Sequence, residues 1–334
     1  MNSYINSISV YLPKNTLTNE DLNNEFPEWT AEKISSKTGI FKRTIASEDE
    51  FVSDLAIKAS IKLFEEHLID KSCIDFVLLC TQSPDYFLPT TACVVQDKLG
   101  LSKNCGALDF NLGCSGFVYG LGLAKGLIAS GIAKNVLLIT SETYSKYINK
   151  KDKSNRTIFG DAAAACLISS GSKAGNICNF VFGTDGSGAD NLIVKNGAAK
   201  FSKQKSDDVY IDGEFFKNDD NLYMNGQEIF KFTTASVPIL VEECLASNGL
   251  NIEDVDLFIF HQANKFMLDY IRRKLKIPQD KFLMYFEDIG NTVSSTIPIV
   301  MSEAIASKKI KKGMKVLIVG FGVGYSYGAT VIEF

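Results

Sequence analysis

Residues 73–82, CIDFVLLCTQ, and residues 255–262, VDLFIFHQ, are two versions of one pattern. Each is an apolar run that follows a helical stretch and an acidic or polar turn. Each precedes an amphipathic segment closing on Lys-Leu, Lys98-Leu99 in the first case and Lys274-Leu275 in the second. The echo extends outward. KNVLLIT (134–140) resembles KVLIVG (315–320), and DFNLGCS (109–115) resembles FEDIGNT (286–292). The offsets between matching positions lie between 176 and 181 residues, far too long for a solenoid repeat. They predict two similar halves, residues 1–172 and 173–334.

Each half alternates short β-branched runs with helix-like stretches. Strands are expected at 4–11, 76–80, 107–111, 136–140, 164–168, 257–261, 282–286, 316–320 and 330–334. Amphipathic helices are expected at 52–67, 91–99, 117–130, 230–247 and 265–276. This alternation predicts an α/β fold of parallel strands covered by helices. The polar segment 200–221 reads as an exposed surface loop.

Composition narrows the function. The chain has 334 residues, 46% hydrophobic and 22% charged, which is a globular balance. The net charge of −4 argues against a general affinity for nucleic acid or an anionic membrane. No apolar run approaches the roughly 20 residues that a bilayer span requires, so no membrane insertion is expected. The first residues, MNSYINSISVYLPKN, lack the basic and apolar regions of a signal peptide. Eight cysteines occur with no C-x-x-C pair, the pattern of buried free thiols in a reducing cytoplasm. With only two histidines, His67 and His261, no zinc-type ligand cluster is expected.

Three positions stand out chemically. Cys114, in NLGCSGFVYGLGLAKG, lies between a strand and a small-residue helix. A helix N-terminus there favours thiolate over thiol; the plain alternative is one more buried cysteine. His261 opens HQAN at the end of an apolar strand. Asn291 lies in GNTVSST between a strand and a helix, where a turn or cap is the alternative. Cys114 and Asn291 occupy equivalent positions in the two halves. Strand ends in such sheets open onto the crevice that binds ligands, so the duplication aims all three at one site. Finally, GFGVGYSYG (320–328) can present backbone N–H groups to an oxyanion through Gly322, Val323 and Gly324.

Taken together, LGCSGFVYGL, FGDAAAA (159–165), HQAN, GNT and GFGVGY, in that order, resemble the β-ketoacyl-[acyl-carrier-protein] synthase III family over nearly the whole chain. The resemblance implies a duplicated thiolase-like fold of five layers, αβαβα, and a homodimer. It implies a Cys-His-Asn triad at Cys114, His261 and Asn291. Cys114 takes an acyl group from acyl-CoA, and malonyl-[acyl-carrier-protein] then condenses with loss of carbon dioxide. His261 and Asn291 stabilise the enolate, and no permanently bound cofactor or metal is needed. The CoA tunnel maps onto Trp29, Lys37, Gly226, Phe230, Asn264 and Arg156, with Lys153 as the alternative to Arg156. Tyr86, Phe87 and Leu88 map onto the acyl pocket. Gln262, Lys265, Arg272 and Arg273 map onto a surface for the acidic carrier protein. Departures are Val323 in place of a glycine, Phe266 in place of an arginine, and a longer insert between Trp29 and Lys37. Two other readings remain at this stage: an acyltransferase forming esters or amides in specialised or surface-glycan metabolism, and a papain-like cysteine protease. The Cys-to-His spacing fits the protease, but the flanking motif does not.

Overall fold

A computed structural model of the chain describes residues 2–171 and 175–334. The ten principal strands form two sets of five. The first comprises β1 (Tyr4–Tyr11), β2 (Phe76–Cys80), β3 (Gly106–Phe110), β4 (Asn135–Glu142) and β5 (Ala162–Ser169), ordered β3-β2-β4-β5-β1. The second comprises β6 (Asn176–Thr184), β7 (Leu257–Phe260), β8 (Phe282–Leu283), β9 (Lys315–Gly322) and β10 (Ser326–Glu333), ordered β8-β7-β9-β10-β6. The directions match too. Strand β2 runs parallel to β3 and β4, and β5 is antiparallel to β4 and β1. Likewise β7 runs parallel to β8 and β9, and β10 is antiparallel to β9 and β6. The two sets meet where Tyr4 pairs with Asn176. The division expected after residue 172 lies outside the described residues.

Six helices cover the strands: α1 (Val52–Glu66), α2 (Thr91–Leu99), α3 (Gly116–Ala129), α4 (Gly226–Ser247), α5 (Lys265–Lys274) and α6 (Thr296–Ala306). The alternation of side chains along each strand assigns the layers. Leu78 and Ile259 face inward, into a core with Phe117 and Leu121 of α3 and Val300 and Met301 of α6. Val77 and Leu79 face outward onto Leu55 and Leu63 of α1 and Val95 of α2. Phe258 and Phe260 do the same against Leu240 of α4 and Leu268 of α5. The result is five layers: α1/α2, the first sheet, α3/α6, the second sheet, α4/α5. Parallel strands buried on both faces need near-continuous apolar runs, which explains VLL and FIF. Helix α3 lies between two sheets and is therefore apolar nearly all round. A buried Leu, Ile or Val contributes about 1.5–3 kcal/mol, against about 1 kcal/mol for a hydrogen bond. Side-chain faces therefore decide the layering more than strand pairing does.

Several local expectations change. Strand β8 ends at Leu283 rather than 286, because the chain turns away and Tyr285 N–H donates to Gln262 Oε1 at 2.9 Å. Helix α4 begins at Gly226 rather than 230, capped by Asn225, whose side chain accepts from Glu228 N–H at 3.3 Å. Strand β6 is an addition; Asn176 and Asn179 break up its apolar run. The segment 200–221 is not all loop. It carries an antiparallel hairpin, Val209–Ile211 with Glu214–Lys217. Asp212 and Gly213 turn it with φ of 51° and 80°, and an Asp-Gly pair is the residue choice such a turn favours.

Candidate active site

Parallel strands deliver their carboxyl ends to one side of each sheet, and Cys114, His261 and Asn291 each follow such an end. Cys114 lies between β3 and α3, and Gly116 N–H donates to Gly113 O at 2.8 Å. A Cβ on Gly322 would stand 2.7 Å from Cys114 Cβ and 3.0 Å from Sγ. Only a glycine lets the end of β9 come this close. Ser115 Oγ and Ser326 Oγ are 2.6 Å apart, and Ser326 donates to Val323 O at 2.9 Å. The turn of the nucleophile and the 322–324 loop are thereby tied together.

The thiol itself departs from expectation. Burial pushes Cys114 up to about 12, and the nearby Glu142 carboxyl adds to the rise. A helix dipole contributes about 0.3–1 kcal/mol at an exposed end, whereas full burial shifts a pKa by as much as 3–5 units. Desolvation therefore outweighs the terminus of α3, and the resting sulfur is a thiol. Glu142 closes β4 and is fully buried, with its own carboxyl pushed up to about 8 by burial. It accepts from Gln82 N–H at 3.1 Å, Ser83 Oγ at 2.9 Å and Ser294 Oγ at 3.2 Å. It thus ties the end of β2 to the loop carrying Asn291. Sequence reasoning missed it; a lone acid ending the apolar run NVLLITSE was the available signal.

His261 is buried directly after β7, with its N–H held by Val319 O at 2.8 Å. Burial drives the imidazole down to about 3, so it is neutral across the ordinary pH range. Nδ1 lies 2.8 Å from Thr296 Oγ1, and Nε2 lies 3.5 Å from Asn291 Nδ2. The amide of Asn291 is oriented by Val293 N–H, which donates to Oδ1 at 2.9 Å. Its Nδ2 is therefore the atom facing the imidazole. Asn291 N–H donates to Ile158 O, and its carbonyl accepts from Gly160 N–H. The first half thus holds the second half's carboxamide in place. Val293, Phe159 and Val323 pack in one apolar cluster with Cys114, and Phe321 sets its ring edge against His261 at 5.6 Å between centroids. Cys114, His261 and Asn291 are each buried.

A cavity of about 580 Å³ brings together Trp29, Lys37, Gly226 and Asn264, with Met224 and Phe266. Lys33, Lys37 and Lys153 stand 5.3, 5.1 and 5.8 Å from the Trp29 ring centroid. Of the two basic alternatives, Lys153 is the one at this ring. Arg156 pairs with Glu25 and lines a different cavity with Lys150. Phe230 stacks on Phe266 at 5.4 Å and meets Tyr270 at 5.1 Å, forming an aromatic rim.

Two groups differ from expectation. Gln262 is buried, its amide donating to Phe260 O and Leu283 O. A side chain so enclosed cannot meet a carrier protein, and its role is to shape the 260–285 corner. Arg272 is taken up by Ile277 O and Asp269. Lys265 and Arg273 are exposed and line a groove of about 620 Å³ with Phe266 and Tyr270. Tyr86, Phe87 and Leu88 do not surround Cys114 within this chain; Phe87 and Leu88 are 85% and 83% exposed. The apolar wall beside Cys114 instead includes Tyr144, Ile148, Phe159 and Leu192.

A doubled α/β fold in five layers, with these groups at the strand ends, defines a thiolase-like condensing enzyme. Comparison with known proteins specifies it further. Residues 108–186 match the family model 3-oxoacyl-[acyl-carrier-protein (ACP)] synthase III, and residues 245–334 match the C-terminal model of the same synthase. A β-ketoacyl-[acyl-carrier-protein] synthase III of Clostridium perfringens is 40% identical over 336 residues, with 99% of each chain covered. A crystal structure of a 3-oxoacyl-(acyl-carrier-protein) synthase III superposes with a TM-score of 0.97 at 46% identity, covering all of both chains. The Thermus thermophilus synthase III superposes with a TM-score of 0.88 at 33% identity over 99% of each chain. The chain belongs to the β-ketoacyl-[acyl-carrier-protein] synthase III family and is an acyl-transferring condensing enzyme. These matches favour condensation over ester or amide formation, and over the papain-like alternative. Among the described residues no helix is long and apolar enough to cross a membrane.

Proposed function

We propose that Cys114 takes an acyl group from acyl-CoA and condenses it with malonyl-[acyl-carrier-protein], giving a 3-oxoacyl-[acyl-carrier-protein]. The observation that carries this reading is the pair His261 Nε2 and Asn291 Nδ2, 3.5 Å apart, with Val293, two residues after Asn291, in the apolar cluster that holds Cys114. Two such nitrogens, both donating, suit a single oxygen placed between them. This role uses the neutral imidazole in the tautomer with its hydrogen on Nε2, while Nδ1 lies 2.8 Å from Thr296 Oγ1.

The steps follow. Cys114 Sγ bonds to the acyl carbon, the carbon–sulfur bond to CoA breaks, and CoA leaves as a thiol with the proton that Cys114 gives up. The backbone N–H groups of Cys114 and of the loop at Gly322, Val323 and Gly324 hold the oxyanion of this step. The malonyl carboxylate then departs as carbon dioxide. Its bonding pair becomes an enolate whose oxygen receives hydrogen bonds from His261 and Asn291. The enolate carbon attacks the acyl carbon, and Cys114 leaves as thiolate and regains a proton. All groups stay neutral until charge develops, which suits a dry site in which hydrogen bonds are strong. No permanently bound cofactor enters these steps.

The cavity at Trp29, Lys37, Gly226 and Asn264 takes the CoA portion, with the indole offered to the adenine and Lys37 to phosphate, while Lys153 at the same ring is paired with Glu28 and Glu214. Lys265 and Arg273 receive the acidic carrier protein. The enzyme works as a homodimer in the cytoplasm. The exposed Phe87 and Leu88 and the open edge of β3, where Leu108 is 39% exposed, call for a cover. In such a dimer, Tyr86, Phe87 and Leu88 contribute to an acyl pocket across the interface. The test is intact-protein mass spectrometry with acyl-CoAs, followed by a malonyl-carrier-protein chase. The expected result is an acyl adduct at Cys114 that the chase discharges into a 3-oxoacyl product. An adduct discharged only by water or by an alcohol or amine would overturn condensation.

A further inference from the structure

A buried charge that none of the steps above uses stands against the turn that carries Asn291. Arg43 belongs to the short strand Lys42–Ile45, which pairs with Asn15–Thr18, and its side chain is fully buried. Nε donates to Thr157 O at 2.9 Å, Nη2 donates to the same carbonyl, and Nη1 donates to Asn19 Oδ1. These acceptors are neutral. Burial draws the guanidinium down to about 9, so it is still charged at pH 7. Burying an ion without a counter-ion is costly, and a neutral side chain of the same reach would fill the volume without that cost. What only the charged fork supplies is a fixed grip on the Thr157 carbonyl.

That grip adjoins the support of Asn291. Thr157 precedes Ile158, whose carbonyl accepts from Asn291 N–H at 2.9 Å, and Gly160 N–H donates to Asn291 O at 3.0 Å. Phe159 and Asn291 form a parallel bridge between the two segments. The aliphatic stem of Arg43 presses on the turn from its other side. A Cβ on Gly290, where φ is 77°, would stand 2.9 Å from Arg43 Cγ and 2.9 Å from Ile158 O. The backbone around the arginine holds the same turn, with Phe41 N–H donating to Glu287 O at 2.7 Å and Thr44 N–H to Ile289 O at 3.3 Å. Arg43 thus touches the Asn291 turn with its stem and the segment supporting it with its head.

We infer that Arg43 is a positioning residue for the decarboxylation step, acting through Asn291. This rests on the reading of Asn291 as a donor to the enolate. The guanidinium fixes Thr157, Thr157 fixes the 158–160 segment, and that segment sets where Asn291 presents Nδ2. A misplacement of about 1 Å costs about 100-fold in rate, so slack in this clamp is read as lost decarboxylation. The turn of Cys114 is held differently, by the close approach of Gly322 and the Ser115–Ser326 contact. Acylation therefore does not depend on the arginine.

The test compares the two half-reactions in Arg43→Met, which removes the charge and the fork and keeps the stem. Conversion of malonyl- to acetyl-carrier protein is expected to fall about 100-fold. Acylation of Cys114 at saturating acyl-CoA, followed by intact mass, is expected to change less than about tenfold. Arg43→Lys keeps the charge without the fork and is expected to lose less; it carries the test if Arg43→Met fails to fold. In an Asn291→Ala background the donor is already gone, so adding Arg43→Met is expected to slow decarboxylation by less than about threefold more, because residues that act through one another are not additive. Equal losses in both half-reactions, losses that multiply in the double variant, or failure of both single variants to fold would overturn the inference. Undiminished decarboxylation in Asn291→Ala itself would instead overturn the role of Asn291.

Discussion

Replacing Asn291 by alanine should separate the two half-reactions. In the proposed mechanism its Nδ2, 3.5 Å from His261 Nε2, is one of two donors to the developing enolate oxygen. Removing one such donor costs about 100- to 1,000-fold in rate, or about 2.7–4 kcal/mol of transition-state stabilisation. Decarboxylation of malonyl-carrier protein should fall by that factor. Acylation of Cys114, whose oxyanion rests on backbone amides, should change less than about tenfold, the equivalent of 1.4 kcal/mol. The substitution also strips Val293 N–H of its acceptor at 2.9 Å, which costs about 1–3 kcal/mol of stability. Asn291→Asp isolates the catalytic part, since a carboxylate still accepts from Val293 N–H but offers no donor. It also lifts the His261 imidazole from its depressed value by placing an anion beside Nε2. Both variants should acylate and fail to condense. Acylation would be followed by intact mass, and decarboxylation by conversion of malonyl- to acetyl-carrier protein. Equal losses in both steps, in a protein that still melts cooperatively, would refute the division of labour between the backbone loop and the His261–Asn291 pair.

Gly322→Ala should cut acylation of Cys114 by about 100-fold, since its methyl would press on Cβ and Sγ and a displacement of about 1 Å suffices for that loss; pre-steady-state loading kinetics would measure it. Gly126→Ala in α3 should instead stabilise the fold by about 0.4–1 kcal/mol, because nothing outside its own turn of helix lies within 4 Å of the added methyl; urea unfolding would read it. His261 imposes a pH dependence on stability. Its imidazole is held near 3 in the native state against 6.5 in model peptides, so the unfolded chain takes up the proton first. The contribution is complete above pH 6.5 and drains away as the pH falls toward 3, by at most about 1.4 kcal/mol per pH unit. Unfolding midpoints of His261→Gln measured from pH 7 to pH 4.5 should fall less steeply than those of the unaltered protein, and parallel slopes would contradict the burial argument.

The residues that sequence alone could assign are those whose local surroundings repeat or carry a motif. The paired phrases at 73–82 and 255–262 laid out two matching sets of strands, because strands buried on both faces must be apolar wherever they recur. Cys114, His261 and Asn291 were visible because each follows a strand end within a distinctive run. The charge states depended on the tertiary structure, since desolvation is a property of everything packed around a group. No local signal told that burial overrides the α3 terminus at Cys114, or that His261 is stripped of basicity. Glu142, and the contact between Gln82 and Tyr144 across 62 residues, arise only when β2 and β4 lie side by side. For the same reason Gln262 could look like a surface residue in the motif HQAN, although folding seals it beneath Tyr285. Periodicity and spacing wrote the architecture into the chain, and local motifs marked the proposed reacting groups; which of those groups carry charge was decided by packing between segments remote in sequence.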